Sequence, residues 1–478
     1  MLPDELVQLV DKICAQKSET QVIEVKSAHE GCPAKLYDTL SSFSNQDVGG
    51  TIIFGVDEAA SFSPVGVYDL QKLQKGVTDQ CNQMEPPVRA VFTVANYNGV
   101  DICSAEIPGL DLTERPCYYK GKGKVRGSYV RVGDADEPMT DYEIYTYEAF
   151  RKHRHDDERT VDRANLSMMN ATMMQQFVAQ MKIQKPNFAQ LTTEQVYEML
   201  AIKRDDKFTL AAVLNFGLYP QGYFPQLAIT AVVVPGTEIG DTADNVRFID
   251  NKRIEGTLAQ MLEDAIAFCK RNMKTHISIN PNTGERTDSF EYPVEAIREA
   301  VLNALIHRDY SPYTEGTPIQ INLFSDRLEI HSPGALYGRM TVENLGLTRP
   351  DLRNPALATM AEYLLQTENR YSGIPTIRRS VAEAGLQAPV FENRTNEFVV
   401  IIYNTKQAGK NVRTEARDLL EFCKIPRSRK EIAKYLNIGS VGYATSKYIQ
   451  PLVDSGALVM TLPEKPKSSK QRFVVANR

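Results

Sequence analysis

The sequence predicts an α+β multidomain protein, and three observations lead there. The chain has 478 residues, and at roughly 150 residues per domain that length implies three or four units. Its first third interleaves short β-rich runs with helical stripes, the pattern of a compact α+β unit. Its last stretch differs in charge from everything before it. Lys406–Arg478 holds fifteen Lys/Arg against six Asp/Glu, a net of +9, whereas the whole chain carries −5, which leaves −14 on the remainder. A basic terminal module on an acidic body points to a nucleic-acid partner.

Composition narrows the class. Hydrophobic residues make up 42% and charged residues 24%, with no Trp, which is ordinary for a globular chain with sizeable cores. No run of about 18 apolar residues exists, so no membrane-spanning helix is expected. The start, Met1–Gln16, reads as an acidic amphipathic helix without the basic and apolar regions of a signal peptide. The seven cysteines are scattered, with no CxxC pair, so free thiols in a cytoplasmic protein without structural zinc are expected.

The elements follow in order. After the leading helix, Thr20–Lys26 alternates like a strand. Lys35–Phe43 reads as a helix, Asn45–Gly50 as a turn and Thr51–Val56 as a buried strand. Val65–Gln83 reads as helical. Val88–Val94 and Val100–Ile107 read as a hairpin about Asn98-Gly99, a dipeptide suited to a tight turn. The Gly- and Lys-rich loop Lys120–Gly127 leads into the strand Tyr129–Val132, and the unit ends near Tyr145. Arg151–Ala164 is a dense charge run that reads as a linker. Its alternating His153 and His155 have the residue types of a metal pair, but in a solvated linker no specific role is expected of them. Helices are expected over Ala171–Met181, Leu191–Leu200, Thr209–Phe216 and Ile254–Met273, with a β run in Phe224–Val234.

Ser289–Tyr310 is the most informative stretch. Pro293 stands where a helix can start, and Val294, Ile297, Val301, Leu302, Leu305 and Ile306 recur at helical spacing. Glu299 and Asn303 lie four apart and so share a face. A carboxylate and an amide one turn apart have the chemistry to orient a water and hold a metal-bound phosphate. They equally suit a wet helix face. Strand-like runs over Thr317–Phe324 and Arg327–His331, helices over Ala358–Leu365 and Thr376–Ala384, and the strand Glu397–Ile402 complete this unit. At the end, Ala416–Cys423, Ser428–Leu436 and Val441–Ser455 read as three helices. Ala457–Leu462 and Arg472–Val475 form a hairpin with Lys465, Lys467 and Lys470 in its loop. Three helices and a basic hairpin describe a winged helix, whose third helix enters the major groove. Arg427, Arg429, Lys430, Tyr443, Thr445, Ser446, Lys447 and Arg472 are its candidate DNA contacts.

Two resemblances attach to these residues. Glu24-Val25-Lys26, Ser42-Phe43-Ser44-Asn45, Gly49-Gly50, Gly55-Val56-Asp57 and Tyr129–Gly133 resemble the AlbA-type domain named for the Schlafen family, with Val25 in place of Phe and Ser42 and Ser44 in place of Ala. The resemblance implies nucleic-acid binding, for which Lys26, Lys122, Lys124, Arg126 and Arg131 offer a phosphate-facing surface. In some Schlafen proteins three carboxylates form a metal-dependent RNA nuclease site, which on this chain implies the alternative of cleavage through Glu19, Glu24 and Asp57.

Val294–Tyr310, Arg327–Leu345, Arg353–Ala358 and Ser372–Arg379 resemble the histidine-kinase-like (GHKL) ATPase domain of transcriptional regulators that carry an AlbA-type domain before it and a winged helix after it. This implies a GHKL-like α/β sandwich binding ATP and Mg²⁺, with Glu299 as water base, Asn303 as Mg²⁺ ligand, Ser332 and Gly334 at the adenine box, and Asn354 and Gly373 near the phosphates. Ser332 stands where the family carries Asp, and the second glycine motif shrinks to Ser372-Gly373-Ile374, so the chain is expected not to act as an enzyme, or to show no more than weak or residual hydrolysis. The expected boundaries are 1–150 (AlbA-type), 151–184 (linker and helix), 185–404 (ATPase-like) and 405–478 (winged helix). The expected function is a cytoplasmic, dimeric, DNA-binding transcriptional regulator, with the nuclease or an ATPase acting with nucleic acid as alternatives.

Overall fold

The computed structural model describes all residues except 244–245, 280–285, 366–371, 406–418, 421, 436–444, 446–448, 455–456, 463–467, 469–470 and 476–478. It is a mixed α+β multidomain chain. No helix among the described residues is long and apolar enough to cross a membrane.

The first domain is built on a four-stranded sheet. Helix α1 (Pro3–Gln16) starts at a proline, which lacks the N–H that a helix start leaves unpaired anyway, and buries Leu6, Val10 and Ile13 along one stripe. Strand β1 (Ile23–Lys26), helix α2 (Tyr37–Ser44), strand β2 (Gly50–Phe54), helix α3 (Leu70–Asn82), and strands β3 (Val91–Tyr97) and β4 (Val100–Ile107) follow. The sheet order is β1-β2-β4-β3, with β1 and β2 parallel and the other pairs antiparallel. Alternation along β2 sorts the core. Ile52 and Phe54 join Leu40 and Phe43 of α2 and Leu73 and Val77 of α3, while Ile53 joins Leu6, Val10 and Ile13 of α1. Asn98 and Gly99 both have positive φ, as the β3–β4 hairpin turn requires. Gly49 has φ +64°, and a Cβ there would come within 2.1 Å of the Ile107 carbonyl oxygen, so no side chain fits.

Strands β5 (Tyr129–Val132) and β6 (Ala135–Pro138) form a ribbon against α2, and helix α4 (Asp141–Arg151) follows it. Helices α5 (Ala171–Gln184) and α6 (Leu210–Phe216) lead into a six-stranded sheet. Its strands are β7 (Ile229–Val233), β8 (Asp250–Ile254), β9 (Ile319–Leu323), β10 (Arg327–Pro333), β11 (Val390–Asn393) and β12 (Glu397–Tyr403), in the order β8-β7-β9-β10-β12-β11. Only β7 and β9 are parallel. Helices α7 (Leu258–Asn272), α8 (Val294–His307), α9 (Pro355–Leu364) and α10 (Gly373–Glu383) share one core with that sheet. Ile297, Val301, Leu302, Leu305 and Ile306 of α8 are buried as their spacing predicts. At the end, Leu419, Cys423, Ile432, Ile449, Leu458 and Phe473 form a small separate core. It joins β13 (Arg427–Ser428), α11 (Arg429–Tyr435), α12 (Gln450–Asp454), β14 (Leu458–Met460) and β15 (Arg472–Val475), and its sheet order is β13-β15-β14.

The structure departs from the sequence reading at several places. The helix expected from Val65 begins at Leu70, because the Asp69 carboxylate caps it by accepting from the Lys72 N–H. The loop Lys120–Gly127 holds a single helical turn, Gly123–Gly127. The charge run Arg151–Ala164 is not solvated throughout. Asp157 is fully buried and Asp156 nearly so. The Asp157 Oδ2 accepts from the Leu357 N–H at 2.9 Å, which caps the start of α9 from a distance in sequence, and both Asp156 oxygens accept from the Tyr145 hydroxyl at 2.7 Å. The His155 Nδ1 lies 3.1 Å from the Arg353 carbonyl oxygen.

Candidate functional site

A cavity of about 560 Å³ opens beside α8. Glu299, Asn303 and His307, each four residues after the last, all line it, because residues at that spacing project from one helix face. At 1.5 Å per residue, Glu299 and His307 stand about 12 Å apart along the helix, which makes the site elongated.

One end is built by α8 and the start of α10. A Cβ on Gly373 would lie 3.0 Å from the Asn303 Nδ2 and 3.1 Å from the Glu299 Oε2. Glycine therefore lets the first turn of α10 press against both side chains. Arg298, Glu295 and Arg379 also line this end. Arg298 donates to the Leu365 carbonyl at 2.9 Å, and Arg379 pairs with Glu295 at 3.1 Å. Burial raises the Glu299 carboxyl above its ordinary range and outweighs the opposing pull of Arg298. A carboxyl beside an amide, two guanidinium groups and a helix N-terminus suits a phosphate-bearing ligand.

The other end is formed by His307, Ser332, Gly334, Tyr337 and Arg353. Solvent reaches the His307 ring through the cavity, yet the mass of protein around it and the nearby Arg353 push its pKa down to about 4, so the ring is neutral. Ser332 donates its hydroxyl to the Ala304 carbonyl at 3.2 Å. Arg353 is buried, donates to the Ala335 carbonyl at 2.8 Å, stacks on Tyr337, and leaves its Nη1 without a hydrogen-bond partner. That nitrogen packs so close to Gly334 that a Cβ there would fall within 2.4 Å of it.

Glu299, Asn303, Ser332, Gly334 and Gly373 are thus brought to one cavity. Asn354 is not. Its amide donates to the Ile306 and Arg308 carbonyls at 2.8 Å, so it closes the C-terminal end of α8, where unpaired carbonyls need donors. The reading from sequence missed Arg298, His307, Arg353 and Arg379. His307 was legible, since it continues the Glu299–Asn303 stripe by one more turn. Arg353 and Arg379 come from other elements and were not.

Mg²⁺ takes oxygen ligands in octahedral geometry and keeps several from water and phosphate. The Asn303 amide oxygen, with ligand phosphates, fits that donor set. Among the described residues no group of three or more His, Cys, Asp or Glu side chains is placed to hold a metal ion by itself.

The nuclease alternative names Glu19, Glu24 and Asp57, and these three form no such group among the described residues. The Arg131 guanidinium lies between the acids instead, 2.8 Å from Glu24, 3.7 Å from Glu19 and 2.9 Å from Asp136. Burial raises the Glu19 pKa to about 7, against the Val25 N–H it accepts from. Asp57 accepts from the Ala59 N–H at 3.0 Å.

The phosphate-facing surface is also largely committed elsewhere. Arg131 is buried, Lys26 is paired with Glu24, Lys122 lies 3.2 Å from Asp38, and Lys124 is paired with Glu148. Arg126 is exposed. In the terminal module Arg427 stacks on Phe422, Arg472 lies 3.4 Å from Glu431, Arg429 stacks on Phe473 and Lys430 is exposed. Thr445 is half-buried. Tyr443, Ser446, Lys447, Lys465, Lys467 and Lys470 lie outside the described residues.

Three stretches of the chain match known family models. Residues 19–140 match the sequence model of the family "Schlafen, AlbA_2". Residues 316–402 match "Putative ATP-dependent DNA helicase recG C-terminal", and residues 415–476 match "Filamentation induced by cAMP protein Fic-like, C-terminal domain". No curated protein matches the chain. Among solved structures, a Corynebacterium diphtheriae protein matches at 18% identity and a TM-score of 0.41, covering 99% of this chain and 98% of its own. The N-terminal domain of a RecG-related putative ATP-dependent DNA helicase from Nitrosomonas europaea matches at 26% identity and a TM-score of 0.24, covering 28% of this chain and 93% of its own. The chain is therefore similar to a Schlafen AlbA-type domain over residues 19–140 and to a RecG-related ATPase-like domain over residues 316–402.

Proposed function

We propose that this chain is a DNA-binding transcriptional regulator whose central domain, about residues 185–404, binds ATP with Mg²⁺. The observation that carries the reading is the convergence of Glu299, Asn303 and Gly373 in one cavity, in a chain that also carries an AlbA-type domain. Asn303 would hold the metal together with ligand phosphates, and Arg298 and Arg379 would meet the phosphate charge. When bound, Mg²⁺ neutralises and orients the phosphates. Glu299, its pKa raised by burial, is placed to hold a proton of a water at that end. The terminal module (residues 405–478) acts as a winged helix on DNA with Lys430 available for phosphate contact, and the chain works as a homodimer in the cytoplasm. All seven cysteines are free thiols, which suits a reducing compartment.

The experiment is a thermal-shift titration with ATP–Mg²⁺ on the wild type, Asn303→Ala and Glu299→Gln. A metal-dependent rise in Tm, lost in Asn303→Ala and kept in Glu299→Gln, is the expected result. No shift at millimolar ATP–Mg²⁺ refutes nucleotide binding. A second reading, an ATPase acting with nucleic acid, rests on the placement of Glu299 and Asn303 against Gly373 in the cavity. It requires phosphate release that Glu299→Gln abolishes.

A further inference from the structure

The segment joining the AlbA-type domain to the ATPase-like domain is seated on the back of the cavity wall. The Tyr142 hydroxyl of α4 donates to the Asp309 Oδ2 at 2.7 Å. Asp309 lies directly behind Gly334, since a Cβ on that glycine would sit 2.5 Å from the Asp309 Cβ. The Phe150 ring packs edge-on to Tyr337, with centroids 5.5 Å apart, and Tyr337 lines the cavity. The His155 Nδ1 meets the Arg353 carbonyl at 3.1 Å, while the Arg353 side chain lines the cavity and stacks on Tyr337. One layer of residues (Gly334, Tyr337 and Arg353) thus has the ligand space on one side and the inter-domain segment on the other. A glycine with φ +98° and a guanidinium nitrogen without a partner are the members of that layer most able to rearrange around a ligand.

We infer that occupancy of this cavity and nucleic-acid binding are coupled through the segment Tyr142–Asp157, so that each ligand changes the affinity for the other. This rests on the nucleotide reading above. A ligand that shifts Gly334 or Arg353 shifts the seats of Tyr142, Phe150 and His155, and these, with the Arg339–Asp111 ion pair at 3.4 Å, hold the AlbA-type domain in place. By linkage the effect is reciprocal and equal in both directions. Asp157, buried against the N-terminus of α9, anchors the far end of the segment, so movement enters at Tyr142 and Phe150 rather than dissipating toward α5.

The test uses the full chain, ATP–Mg²⁺ and a short random-sequence DNA duplex. The dissociation constant for each is measured with and without a saturating amount of the other, in the wild type, Tyr142→Phe and Phe150→Ala. The expected result is a wild-type coupling factor of about 5 to 100, the same in both directions. It should fall toward one in the variants while each ligand measured alone binds nearly as before. Hydrogen exchange of residues 141–159 in the wild type should also change on adding ATP–Mg²⁺, a readout that needs no variant. A coupling factor of one with both ligands bound, or unchanged exchange in the segment, overturns the inference and leaves nucleotide binding standing. A coupling factor that both variants retain overturns the route. No binding of ATP–Mg²⁺ overturns the inference and the nucleotide reading together.

Discussion

Asp157 offers the sharpest quantitative test of how the inter-domain segment is held. Burial, with the neighbouring Glu158 charge adding to it, raises its pKa from 3.8 to about 7, although the Leu357 N–H opposes the rise. In the unfolded chain the carboxyl ionises near its ordinary value. Between the two values the folded state therefore binds the extra proton, and stability falls as pH rises. The contribution is complete below the unfolded pKa and is lost as pH climbs through the folded one. At ~1.4 kcal/mol per pKa unit the whole loss is about 4 kcal/mol, of which about 3 falls between about pH 5 and pH 8. Asp157→Asn keeps an acceptor for the Leu357 N–H and removes the titration. In urea unfolding, Asp157→Asn should match or fall slightly below the wild type near pH 5. Near pH 8 it should exceed it by up to about 3 kcal/mol, a midpoint shift of roughly 1 M or more. A gap between the two proteins that stays constant across this range refutes the assignment of a strained, buried carboxylate to the joint.

Other predictions follow from the same structure. Arg131→Met leaves Glu19, Glu24 and Asp136 without their shared cation. It should destabilise the AlbA-type domain by about 3–5 kcal/mol, read as faster hydrogen exchange in β1 and β2, with duplex binding unchanged at a temperature where the domain stays folded. Gly373→Ala puts a Cβ 3.0 Å from the Asn303 Nδ2; it should weaken ATP–Mg²⁺ binding about tenfold or more with a Tm change under a few degrees, and an unchanged titration refutes the close approach. The His307 imidazole, its pKa near 4, should show neutral-ring NMR shifts down to about pH 5, and its contribution to stability should fade as pH drops from its ordinary value through 4. Lys430→Glu should lower duplex affinity and reduce its salt dependence while leaving the ATP–Mg²⁺ titration as it was.

Local pattern carried much of the protein. The apolar spacing of Val294–His307 placed a helix and its buried face, because a 3.6-residue period has one solution once a stripe is apolar. The Glu299–Asn303 pair shared a face for the same reason. Asn98-Gly99 placed a hairpin because few other dipeptides tolerate two positive φ values. What the sequence could not decide was partnership across elements. Arg131 reads as one more basic residue for phosphate, yet the fold closes it between three carboxylates. Asn354 reads as a phosphate neighbour, yet its amide is taken by two carbonyls at the end of α8. A run as charged as Arg151–Ala164 reads as solvated, yet a helix N-terminus some 200 residues away gives Asp157 a reason to be buried. Periodicity is a property of consecutive residues and survives in the sequence. The partner that makes a buried charge affordable comes from distant chain, and only the tertiary structure brings it there.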